Sequence, residues 1–202
     1  MTIRLLLADD QALVRGALAT LLGLESDLEV VAEVGRGDEV VAAAIEHRPD
    51  VALLDVEMPG LDGIEATRAL HAALPGVRVL IVTTFGRPGF LRRALQAGAS
   101  GFVVKDTPAR QLADAVRRVH SGLRVVDPVL AADSLAVGES PLTVRETEVL
   151  RAARGGGSVA DIAGAVFLSE GTVRNHLSAA IGKTDARNRG DAVRVADENG
   201  WL

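Results

Sequence analysis

The 202-residue chain has no cysteine. That excludes a disulfide framework, a thiolate nucleophile and a thiolate metal site. Aromatic residues are scarce, at 2% of the chain, while hydrophobic residues make up 48%. A core of leucine, valine and alanine is therefore implied, and there is ample material for it. Lysine is nearly absent: of 22 basic residues only Lys105 and Lys183 are not arginine. No apolar run approaches the ~18–20 residues of a membrane span. Met1-Thr2-Ile3-Arg4-Leu5 leads directly into a strand pattern with no signal-peptide features. The expectation is a cytoplasmic protein without membrane association. The net charge of −5 is unevenly spread, with −3 in residues 1–121, −2 in 122–139 and zero in 140–202.

Two periodicities alternate up to residue 120. Apolar strand patterns occur at residues 3–8, 28–34, 51–54, 77–82 and 100–104. Each is followed by three-and-four spacing, the mark of an amphipathic helix. The first such set is Leu13, Ala17, Leu18, Leu21 and Leu22, and the last is Leu112, Ala115, Val116 and Val119. Parallel strands need crossovers, so five strand–helix units predict an α/β domain with helices on both faces of a parallel sheet. Residues 121–140 show no clear period and include Gly122, Pro128 and Gly138. They read as a linker, with a short helix over Pro128–Leu135. From Leu142 onward the period is helical only. Thr143 followed by Glu146 is a capping-box pattern, and Ser158 and Ser169 are further N-cap candidates. Four short helices over residues 141–202 predict a separate small all-α domain.

The apolar run Val51–Leu54 meets a carboxylate at Asp55, and the chain breaks at Pro59-Gly60. Asp9, Asp10, Asp55, Thr83 and Lys105 fall at the carboxyl ends of the first, third, fourth and fifth strands. In a flavodoxin-like order 2-1-3-4-5 those ends are neighbours at the topological switch point, where ligands bind. Three carboxylates in one crevice repel one another unless a cation lies among them. An all-oxygen donor set suits Mg²⁺. Lys105 adds a compact point charge in a chain that otherwise uses arginine, and the two are not interchangeable. Singly, Asp10 reads equally as a helix cap, Asp55 as a solvated strand end, Thr83 as a turn residue and Phe102 as core. Their convergence is what singles out the crevice.

Asp9-Asp10, the stretch Leu53-Leu54-Asp55-Val56-Glu57-Met58-Pro59-Gly60-Leu61-Asp62-Gly63, Thr83, and Gly101-Phe102-Val103-Val104-Lys105 together resemble the receiver domain of two-component response regulators. The resemblance covers residues 3–120. It implies that Asp55 is the phospho-acceptor and that Asp10, Asp55 and the Glu57 backbone carbonyl bind Mg²⁺ directly, with Asp9 acting through water. It further implies that Lys105 and Thr83 contact the phosphoryl group while Phe102 rotates inward behind it. Glu57 and Phe85 would tune the phosphate lifetime.

Residues 158–181 read helix, turn, helix. The stretches Leu142–Leu150 and Leu168-Ser169-Glu170-Gly171-Thr172-Val173-Arg174-Asn175-His176 are similar to the LuxR-type helix-turn-helix. This likeness covers about residues 141–196. It implies that Arg174, Asn175 and Ser178 face bases and that Ser169, Thr172, His176 and Lys183 lie near phosphates. The last helix, Asp191–Glu198, would be a dimer surface. The whole chain then resembles a NarL/FixJ-type response regulator: a receiver at 1–120, a linker at 121–140 and a DNA-binding domain at 141–202. Such a protein takes a phosphoryl group from a sensor histidine kinase, which changes the surface of Arg87–Val119, then dimerises and binds double-stranded promoter DNA. It is no enzyme apart from Mg²⁺-dependent self-phosphorylation and self-dephosphorylation.

Three features depart from the LuxR-type pattern. Thr184-Asp185-Ala186 follows Lys183 in place of Leu-Gly-Val, Ser178 stands where a basic residue is common, and the domain is neutral. Non-specific affinity scales with the phosphates neutralised, so dimerisation onto two half-sites gains weight. Two alternatives use the same residues. An aspartyl-phosphate phosphatase would employ Glu57 as general acid. An orphan DNA-binding regulator would work without phosphate.

Overall fold

The structure is a computed structural model that describes residues 2–84, 88–128, 130–132 and 140–202. These divide into two compact units, one built on a sheet and one all-helical. The first contains β1 (Ile3–Ala8), α1 (Ala12–Gly23), β2 (Leu28–Val34), α2 (Val40–His47), β3 (Val51–Leu54), α3 (Gly63–Ala73), β4 (Arg78–Thr83), α4 (Pro88–Ala97), β5 (Gly101–Val104), α5 (Ala109–His120) and β6 (Val125–Val126). The second contains α6 (Val144–Ala153), α7 (Val159–Val166), α8 (Glu170–Lys183) and α9 (Arg189–Glu198).

The sheet order is β2-β1-β3-β4-β5-β6, parallel throughout. This is the expected doubly wound sheet with one correction: it has six strands, not five. Val125 pairs in register with Gly101 and Val126 with Phe102. The extra strand arises from the stretch read as linker, and two residues are too few to register as a period. Gly101 makes room for it. A Cβ there would lie 2.9 Å from the Val125 carbonyl oxygen and 2.7 Å from Leu80 Cδ1. The backbone is helical at 128 and 130–132, while residues 133–135 of the expected short helix lie outside the described residues, as do Phe85 and Arg87.

Each face of the sheet has its own core. Leu6, Ala52, Leu54, Ile81 and Phe102 point to one face, where α2, α3 and α4 cover them. Leu5, Leu7, Leu53, Leu80 and Val82 point to the other, covered by α1 and α5. The odd–even split is the period of two expected of a strand. Being buried on both faces, these strands read as continuous apolar runs.

Helix α1 corrects the sequence reading. Leu22 is buried and Leu18 partly so, but Leu13 is 87% exposed and Leu21 44%. With exposed Ala17 and Leu24 they form a second, outward apolar stripe. Three-and-four spacing marks a face without saying which of two apolar faces is inward.

The all-α unit packs Val149, Leu150, Ile162, Val173, Leu177, Ala180, Ala192 and Ala196 into one core. On α8 the third buried position is Ala180, while Ile181 is only partly buried. The Thr143–Glu146 capping box is present, and Ser158 forms a second one with Asp161. Leu202 is buried against this core and Trp201 packs beside it.

Helix α3 begins at an Asp62 N-cap that accepts from the Ile64 and Glu65 amides. Its first residue must be glycine, because a Cβ on Gly63 would sit 1.9 Å from the Asp55 carbonyl oxygen. Overpacking of this kind costs about 1–3 kcal/mol. Gly63→Ala should lower the unfolding free energy of the sheet unit in urea titrations by an amount in that range, and its midpoint accordingly, while leaving α6–α9 unaffected. An unchanged midpoint would show that the Asp55 peptide yields freely.

Candidate functional site

Every residue of the candidate crevice stands where a strand leaves the sheet. Asp9 follows β1, Asp55 follows β3, Thr83 ends β4 and Lys105 follows β5. The parallel ladder continues past the strands and fixes these backbones. The Asp55 amide donates to the Ala8 carbonyl at 2.8 Å, and the Lys105 amide to the Thr83 carbonyl at 2.7 Å. The order reverses between β1 and β3, so Asp9 and Asp55 flank the switch point.

The side chains converge. Lys105 Nζ lies 2.7 Å from Asp9 Oδ2 and 2.9 Å from Asp55 Oδ2. Asp55 Oδ1 accepts from the Val56 amide at 2.7 Å, and Asp9 Oδ1 from the Gln11 amide at 2.9 Å. Asp9 and Asp55 are each 3% exposed, whereas Asp10 is exposed. One carboxylate oxygen from each of the three lies within 4.8 Å of the others. Two oxygens across a single hard cation stand ~4–5 Å apart, so this set can hold a metal ion. Thr83 is 2% exposed, and Phe102 is fully buried, already turned inward. The Glu57 side chain is exposed.

Burial pushes the Asp55 carboxyl above its ordinary value, and the Lys105 hydrogen bond and charge pull it back only in part. Burial also works against the Lys105 charge, but the hydrogen bonds to Asp9 and Asp55 outweigh it and hold the ammonium above its ordinary value.

In the second unit, Ser169 caps α8, accepting from the Thr172 amide, with Ser169 Oγ and Thr172 Oγ1 2.8 Å apart. Arg174, Asn175 and Ser178 are exposed, and His176 is partly so. Arg174 is paired with Glu170 at 2.6 Å one turn back. An exposed pair of this sort is worth under about 1 kcal/mol, so it gives way easily to another anion. Lys183, expected near phosphates, instead reaches Glu146 at 2.8 Å. That carboxylate is buried and also receives the Thr143 amide of the capping box.

The family described as "Response regulator receiver domain" matches residues 5–117, and "Bacterial regulatory proteins, luxR family" matches residues 140–196. The chain is a response regulator. It carries a receiver followed by a LuxR-type DNA-binding domain. Among similar proteins of Bacillus subtilis strain 168, the transcriptional regulatory protein YvfU is 42% identical over 99% of this chain and all of that protein. The transcriptional regulatory protein DesR is 40% identical over 99% of both. The response regulator ChrA of a heme-sensing two-component system superposes with a TM-score of 0.60 at 34% identity, covering all of this chain and 99% of that one. RcsB of Salmonella enterica serovar Typhimurium, solved on promoter DNA with a beryllofluoride phosphomimetic, shares the fold at 21% identity and a TM-score of 0.73, covering 98% and 99%.

Sequence reasoning missed two features of this response regulator. Arg15 of α1 donates to the Asp9 carbonyl, and nothing in the spacing of Asp9 and Arg15 announces that. Glu146 and Lys183 lie 37 positions apart, so their pairing appears only once α6 and α8 pack. Burial raises the Glu146 carboxyl, but Lys183 and Thr143 outweigh it and hold it below its ordinary value.

Two outcomes follow. Asp55 holds its proton more tightly when folded, so ionising it opposes folding as pH rises. Asp55→Asn should melt above the wild type at pH 7, with the gap closing as pH falls through the raised folded value and gone below the ordinary carboxylate value of ~4. A lower melting temperature for the variant at pH 7 would contradict this. Glu146 has the opposite sign, so its contribution is full above the ordinary carboxylate value and lost as pH falls from there through the lowered folded value. Lys183→Met should therefore destabilise the helical unit at neutral pH by about 2 kcal/mol in urea titrations, because it strands a buried carboxylate. The deficit should shrink towards pH 3.

Proposed function

We propose that Asp55 accepts a phosphoryl group from a partner sensor histidine kinase in the cytoplasm, and that this controls dimerisation and promoter binding by the LuxR-type domain. The observation that carries the reading is the convergence of Lys105 on Asp55 and Asp9 beside exposed Asp10. An Asp55 carboxylate oxygen attacks phosphorus while the bond to the donor's imidazole nitrogen breaks. Such transfer depends on in-line positioning and charge neutralisation. Asp10, Asp55 and the Glu57 carbonyl would hold Mg²⁺, with Asp9 acting through water, and the ion would neutralise phosphoryl charge. Lys105, already within reach of Asp55, pairs with the new phosphoryl oxygens. The Thr83 hydroxyl donates to one of them, and buried Phe102 holds the space behind Thr83. The same groups support transfer from a small donor and slow self-dephosphorylation.

For output, Ser169, Thr172 and His176 meet phosphates at the start of α8, while Arg174, Asn175 and Ser178 face base edges in a major groove. Lys183 reaches a phosphate only by loosening its bond to Glu146. The neutral charge of residues 140–202 makes a single copy a weak binder. Two copies on two half-sites raise affinity without any signal through the linker. The outward stripe of Leu13, Ala17, Leu21 and Leu24 supports partner docking on the receiver, because contiguous exposed apolar surface marks interaction sites.

The test treats full-length wild type and Asp55→Ala with Mg²⁺ and acetyl phosphate, or with beryllofluoride. The wild type should gain the mass of one phosphoryl group from acetyl phosphate, shift towards dimer, and bind selected promoter fragments at least tenfold more tightly. Asp55→Ala should do none of these. A wild type unchanged in mass and DNA affinity would sink the switch reading.

A further inference from the structure

Of the three carboxylates in the crevice, Asp10 alone has no side-chain support. Asp9 is held by the Gln11 amide and Lys105, and Asp55 by the Val56 amide and Lys105. Among the described residues nothing hydrogen-bonds or pairs with the Asp10 carboxylate, which is exposed. Its place in the cluster is therefore set by the backbone beneath it.

That backbone is anchored by Arg15. The guanidinium Nη1 donates to the Asp9 carbonyl oxygen at 2.5 Å, while Nε lies 3.6 Å from Glu33 Oε2 near the end of β2. Gly35 lies beside the head group, where a Cβ would make only ordinary van der Waals contact with Nη1 at 3.5 Å. On its other side the Asp9 amide donates to the Val34 carbonyl at 3.2 Å. The peptide bond is planar, so fixing the Asp9 carbonyl fixes the plane of the Asp9–Asp10 peptide and with it the direction in which Asp10 leaves the chain. One planar fork serves both anchors, which a lysine's single ammonium on a flexible stem cannot reproduce.

We infer that Arg15 is a positioning residue that aims Asp10 at the cation site through the Asp9–Asp10 peptide. The inference rests on the reading of Asp9, Asp10 and Asp55 as cation ligands. It makes a prediction of unusual sign. Arg15 is a cation beside a cation site, so by charge alone its removal strengthens binding of a divalent ion. By positioning, its removal weakens binding. Outer groups that orient metal ligands typically account for ten- to a hundredfold in affinity.

The experiment titrates Mn²⁺ into full-length wild type, Arg15→Met, Arg15→Lys and Glu33→Gln, counting free ion by its paramagnetic resonance signal. Metal-free melting curves are recorded for each. The expected result is binding about tenfold weaker in Arg15→Met and Arg15→Lys, and a smaller loss in Glu33→Gln, which keeps the carbonyl bond. Mn²⁺ affinity equal to or above wild type in folded Arg15→Lys and Glu33→Gln overturns the positioning role and leaves the cation site standing. A wild type that takes up no Mn²⁺ overturns the cation site itself.

Discussion

The receiver depends on one ionic junction. Lys105 leaves β5 and meets carboxylates from β1 and β3, passing over the end of β4. From β5 to β3 is two strand spacings, about 10 Å. Only a long unbranched side chain spans that gap, and β4 closes beneath it with the short Thr83. Nearly dry carboxylates beside one ammonium leave net negative charge in the crevice. The arrangement is tolerable in the resting protein and improved by any added cation. Under the proposed function, an incoming phosphoryl group would meet a lysine already in place, so little reorganisation would be needed when charge develops.

Both lysines of the chain make the same kind of bond. Lys105 sits against Asp9 and Asp55, and Lys183 against Glu146, each partner being buried. Arginines carry most of the surface pairs, such as Arg36 with Asp38 and Arg194 with Asp191. A compact ammonium fits a recess that a planar guanidinium does not. Rarity was therefore a usable signal at Lys105, and it applied equally to Lys183, whose partner no local pattern could reveal.

What could be read from the sequence followed from local physics. Strands buried on both faces announce themselves as apolar runs, so β1, β3, β4 and β5 were legible, and with them the strand ends that carry Asp9, Asp55, Thr83 and Lys105. Caps at Thr143, Ser158 and Ser169 were legible because a side-chain oxygen and an amide three residues on are neighbours in the chain. The hidden features were decided at longer range. The outward leucines of α1 share their spacing with inward ones. The two residues of β6 carry no period. Arg15 acts on a carbonyl, a group every residue has.

The sixth strand also bears on where this receiver can be cut. A parallel sheet tolerates an open edge poorly, because unpaired amides and carbonyls there invite pairing with other chains. A fragment ending at His120 would bare β5, the strand that carries Phe102 and leads to Lys105, and would uncover Val103 and Val119 where Val125 now packs among them. The short stretch past α5 thus acts as a selvage, the finished border that keeps the sheet from fraying, and a receiver fragment that keeps β5 paired extends through Val126.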